Sequence, residues 1–152
     1  MFTTIKRANV PMELLRKLSR RGAINSHAVA FMLTERAFRG PLFRIVELCY
    51  AAFCVYALRR EPNVTLGHCQ VSFPYWRRRY GNNSASLFLA TLSDVASYEV
   101  CCAYLNANKR VTLIETIICY NGKPSALYAE LFFGNLARVR KCVSQLRLSA
   151  ID

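Results

Sequence analysis

A mostly α-helical fold with one small β-hairpin or extended loop beside a cleft is the class this sequence predicts. Three observations predict it. Apolar residues recur at helical spacing in several stretches, each bounded by capping residues, glycine or proline. The pattern switches to alternation only between Pro62 and Pro74. No run of alternating strand and helix patterns appears, which argues against a parallel sheet.

The elements follow in order. Pro11 suits the first position of a helix carrying Leu14, Leu15 and Leu18, with Gly22 as its stop. Asn25 or Ser26 caps a second helix running to about Arg39, and Gly40 ends it. Pro41 opens a long helix from Leu42 to about Arg60, apolar around nearly its whole circumference and so expected to be buried on several sides. Pro62 closes it, because the residue before a proline is pushed out of the α region. Val64 to Phe73 alternates and reads as a hairpin or extended loop, with Tyr75 and Trp76 in the loop that follows. Helices return at Ser84–Leu92, Asp94–Asn106 with Ser93 as cap, Leu113–Cys119, and from about Pro124 to Arg147.

Length and composition set the frame. At 152 residues the chain is expected to be a single domain: residues 41–147 form the core, and residues 1–40 are a helical extension or lobe. A hydrophobic share of 53% argues against disorder. Twenty-one Lys and Arg against 9 Asp and Glu give +12, a field that draws the chain to polyanions: nucleic acid, acidic membrane surfaces or the bacterial envelope.

The seven cysteines show no zinc-ligand spacing with His27 or His68, so no metal or other cofactor is expected. They fit equally a reduced, buried set or one or two disulfides. Leu42 to Leu58, interrupted by Arg44 and Glu47, reads as a buried helix and not as a membrane span. Met1 to Arg21 lacks the apolar core of a secretory signal. Action at the cell wall or periplasm therefore requires another delivery route; otherwise the protein is cytoplasmic.

Two motifs stand in order on this framework. The first is Gly67-His-Cys-Gln70-Val-Ser72, followed by Tyr75-Trp76; the second is Cys119-Tyr-Asn-Gly122, followed by Tyr128 in the next helix. Their order and separation resemble the lysozyme-like lytic transglycosylases, above all the small ones attached to secretion and conjugation machines. That family has a glycine-to-glutamine loop, then an Ala-Tyr-Asn-Ala-Gly turn, then a tyrosine-bearing helix. The likeness covers about Leu42 to Arg140, and the loop is also similar to a glutamine-containing segment of invertebrate-type lysozymes.

The resemblance implies a peptidoglycan-cleaving enzyme acting on the MurNAc–GlcNAc bond, with one Glu as general acid and base. In this reading glycan strands are the substrate, and a secretion, conjugation or phage-associated envelope complex is a possible partner. Gln70 and Ser72 are expected to bond the N-acetyl group, Tyr75, Trp76 and Tyr120 to offer faces for sugar rings, Asn121 to supply an amide, and Tyr128 to line the cleft. Glu61, at a helix end facing the loop, is the favoured acid and Glu47 the alternative. The family's acid stands farther upstream of its loop glycine than Glu61 stands from Gly67.

No Asp or Glu lies between Pro62 and Ser93, which suits a single-acid reaction releasing a 1,6-anhydro sugar. Asp94, Glu99 and Glu115 keep hydrolysis open. Arg59, Arg60 and Arg77 to Arg79 crowd Glu61 and oppose its protonation. Two other classes compete. Arg77–Arg79 beside Tyr75, Trp76 and Tyr80 suits nucleic-acid binding, although no recognition signature accompanies it. A lysozyme-like fold without catalysis would serve as a peptidoglycan-binding component.

Overall fold

The computed structural model describes residues 9–82 and 85–149. Its eight helices and one two-stranded sheet make a mostly α fold, as the periodicity predicts. They are α1 (Met12–Ser19), α2 (Ser26–Phe38), α3 (Pro41–Tyr56), β1 (Thr65–Leu66), β2 (Val71–Ser72), α4 (Phe73–Tyr80), α5 (Ala85–Thr91), α6 (Asp94–Ala107), α7 (Leu113–Asn121) and α8 (Ala126–Leu148). Ser84, where the fourth helix was expected to begin, lies outside the described residues.

α2 is the axis of the molecule. Every residue from Ala28 to Glu35 is buried, and the helix packs most extensively on α8 and next on α6. Its start is fixed by Asn25, whose Oδ1 accepts from the backbone N–H groups of His27 (3.1 Å) and Ala28 (3.2 Å). The Asn25 N–H in turn donates to the Tyr98 hydroxyl at 2.8 Å, tying the cap to α6. One hydrophobic cluster runs from Leu14, Leu15 and Leu18 through α2 to Phe132, Leu136 and Val139. Residues 9–40 therefore form the core with α8 rather than extending from it.

Side-chain caps set the later helices. Ser93 begins α6, Thr112 and Glu115 form a reciprocal capping box on α7, and Ser125 caps α8 at the Tyr128 N–H. Gly122 ends α7 in the left-handed region, the conformation glycine adopts without steric cost.

Two elements differ from the expectation. The segment Phe73–Tyr80 is helical: Pro74 occupies the first turn, where a missing N–H costs nothing, so Tyr75 and Trp76 sit on a helix instead of a loop. α3 stops at Tyr56, and Arg59 turns into the left-handed region at φ 52°. Nor is α3 buried on several sides. Only Ala51, Cys54 and Val55 are fully buried, because its main neighbour is the short strand β1 and no second layer covers its outer face.

All seven cysteines are unbridged. Among the described residues no single helix is long and apolar enough to cross a membrane.

Candidate functional site

The hairpin β1–β2 pairs Thr65 with Ser72 and Leu66 with Val71, so that Gly67 to Gln70 form its tip. Two residues there have left-handed backbones, Gly67 at φ 74° and Gln70 at φ 51°. Gly67 is required twice over. Besides its φ, a methyl group at this position would stand 2.8 Å from Cη2 of the Trp76 ring and 3.0 Å from Ser97 Oγ. Gln70 is held in its unusual conformation by its own side chain, whose Nε2 donates to Gly67 O at 3.0 Å. Its Oε1 accepts from Thr65 Oγ1 at 2.9 Å and from an Arg39 guanidinium N–H at 3.3 Å.

The two sequence motifs meet physically. The Tyr120 hydroxyl donates to the Cys69 carbonyl in the hairpin tip, and its ring stacks on Phe31 of α2 with centroids 4.1 Å apart. Tyr120 thus pins the tip against the core, and burial pushes its hydroxyl pKa well up. This is a different place from the ring platform expected of it.

Arg39 leads from the hairpin to a carboxyl group that the sequence reading passed over. Its Nε lies 3.3 Å from Glu35 Oε2, one helical turn back, and its other arm lies 3.3 Å from Glu47 Oε1. Glu35 closes the buried face of α2 and is only 3% exposed. The Tyr128 hydroxyl donates to its Oε1 at 2.6 Å. Burial raises the Glu35 pKa above its ordinary value; the Tyr128 hydrogen bond, Arg39 and Arg44 pull the other way, and the Glu47 charge adds to the rise. Glu47 is also raised, again chiefly by burial, against the pull of Arg39. One small polar cluster therefore joins Glu35, Arg39, Glu47, Thr65, Gln70 and Tyr128.

The remaining expected site residues lie elsewhere. Glu61 is half exposed and forms an ion pair with Arg77, outside the Gln70 cluster. The expectation that this helix-end carboxylate faces the hairpin tip needs correcting, because the chain turns at the left-handed Arg59 beyond the end of α3 and carries Glu61 towards α4. Trp76 is fully buried under Gly67, so neither ring face is open to a sugar. Tyr75 accepts from Asn108 Nδ2 at 2.7 Å and packs edge-on against Tyr104, partly buried beside α6. Ser72 is half-buried at the start of α4 and makes no capping bond through its side chain. Asn121 Nδ2 donates to Lys123 O at 2.9 Å, closing the turn after α7. Of the expected residues, Gln70 and Tyr128 reach the cluster, with Glu47 beside them.

A second pair borders the tip. His68 Nδ1 lies 2.9 Å from Asp94, and the bond from this imidazole holds the Asp94 carboxyl below its ordinary pKa. The His68 backbone N–H donates to Ser97 Oγ at 3.0 Å.

Among proteins compared with this chain, no family model, no curated protein and no solved structure matches. The class is defined by the fold alone: a mostly α domain with a hairpin set against its central helix.

Proposed function

We propose that the chain cleaves a glycan of the peptidoglycan type by the single-acid, lytic-transglycosylase route, with Glu35 as the acid. The observation that supports this most is the carboxyl group buried at the end of α2, its pKa raised and its Oε1 bonded to Tyr128, beside the Gln70 hairpin. A desolvated carboxyl with a raised pKa, held in a fixed orientation, suits a general acid.

In the proposed reaction Glu35 protonates the glycosidic oxygen as the bond to the anomeric carbon breaks. The C6 hydroxyl of the same sugar then bonds to that carbon, and its proton returns to the Glu35 carboxylate. The products are a free 4-hydroxyl and a 1,6-anhydro end, so no water and no second acid is consumed. Glu47, held by the same guanidinium, could instead activate water, which would give a reducing end. For either route Arg39 must swing out, since it lies against both carboxyl groups and is itself about one-third exposed.

Nucleic-acid binding is less well supported than the residue pattern suggests. Two of the three arginines in the α4 run face carboxylates, Arg77 on Glu61 and Arg79 on Glu99. Digestion of purified peptidoglycan followed by mass spectrometry tests the proposal. 1,6-anhydro muropeptides are expected; intact glycan at high protein concentration would overturn the proposal.

A further inference from the structure

Helix α3 turns much of its apolar surface outward. Arg44 and Glu47 face the protein and are partly buried, whereas Leu42, Ile45, Val46, Cys49, Phe53 and Tyr56 are exposed. At 3.6 residues per turn these six fall within an arc of about 100°. They make an apolar stripe roughly 21 Å long. Leu42 is 73% exposed and Val46 59%. A continuous exposed stripe of this length marks an interaction surface, unlike single scattered apolar residues.

Charge identifies what the stripe meets. The exposed Arg59 and Arg60 stand at its C-terminal end, on a chain of net charge +12, while Arg36 and Arg39 at the other end are held by Asp94 and by Glu35 and Glu47. A second copy is a poor occupant. Pairing two copies would bring together two chains of the same large positive charge, which opposes association. An anionic lipid surface answers both features at once, since the apolar stripe enters the headgroup–acyl boundary and the arginines meet phosphate. Tyr50 and Tyr56, both partly exposed, are the residue type that sits at this level.

We propose that the outer face of α3 docks the protein on a bilayer surface rich in anionic phospholipid, with the helix lying in the plane of the headgroups. The test uses the full chain and co-sedimentation with vesicles of phosphatidylcholine alone or with about one-third phosphatidylglycerol. A cationic protein adsorbs to anionic vesicles by charge alone, so the apolar contribution is read from the double substitution Ile45→Ser/Phe53→Ser. Both side chains are exposed, and circular dichroism should show the fold unchanged.

The expected result is binding to the anionic vesicles that persists in part at high salt and falls by at least about tenfold in the double variant. Arg59→Gln/Arg60→Gln should weaken binding mainly at low salt. Binding equal in wild type and the Ile45→Ser/Phe53→Ser variant overturns the proposal. Absence of binding accompanied by a concentration-dependent dimer that the same substitutions break also overturns it and assigns the stripe to a second copy.

Discussion

The Tyr128 hydroxyl of α8 donates a 2.6 Å hydrogen bond to the Glu35 carboxyl of α2, across the interface that forms the centre of the fold. Both side chains are buried, so the bond fixes the direction in which the carboxyl points. Tyr128→Phe removes the donor and leaves Glu35 Oε1 unsatisfied. The expected cost is about 1–3 kcal/mol in urea unfolding. Because this bond lowers the Glu35 pKa, its loss should raise that pKa further, which carboxyl NMR titration would follow.

Stability should depend on pH through Glu35 with a definite sign. Its folded-state pKa is raised, so the folded chain binds the proton more tightly than the unfolded chain. Stability therefore falls as pH rises from the ordinary Glu value of 4.5 through the raised one. Asp94 acts in the opposite sense: lowered by His68, it contributes stability above 3.8 that is lost as pH falls through its folded value. Thermal melts of wild type and Glu35→Gln across this range should diverge with rising pH, the variant losing less stability. Parallel curves would show that Glu35 titrates normally.

Gly67→Ala should destabilise by about 2–4 kcal/mol, combining a disfavoured φ with collision against the Trp76 ring. Trp76 is the single tryptophan, so its emission reports directly on whether the hairpin tip has lifted from it.

Arg39→Gln removes the cation from between two carboxyl groups. The Glu35 and Glu47 pKa values should both rise, since Arg39 holds each of them down. A steeper loss of stability than in wild type as pH rises above the ordinary Glu value of 4.5 would be its signature in the same melts.

Helix positions were legible in the sequence because their signals are local: Asn25 and Ser93 each cap a helix within three residues of their own position. The tie between Gly67-to-Gln70 and Tyr120 was legible only as a spacing, which cannot show that the tyrosine hydroxyl ends on the Cys69 carbonyl. Glu35 was missed because residues 1–40 match no motif and read only as a helical extension or lobe. A signal was present, since Glu35 follows seven consecutive residues that all pack inside, but burial of a whole helix becomes clear only once α8 is laid against it. Glu61 was misplaced because the left-handed Arg59 redirects the chain, and no glycine or asparagine marks that turn. The open face of α3 was invisible for a related reason: a helix apolar around nearly its whole circumference gives no sign of which side the protein covers.

The choice of acid is tested most directly by peptidoglycan digestion with wild type, Glu35→Gln and Glu61→Gln, products read by mass spectrometry and folding checked by circular dichroism. 1,6-anhydro muropeptides are expected from wild type and from Glu61→Gln, and none from a folded Glu35→Gln. Full activity in Glu35→Gln, or its loss in Glu61→Gln alone, would contradict the assignment of Glu35 as the acid.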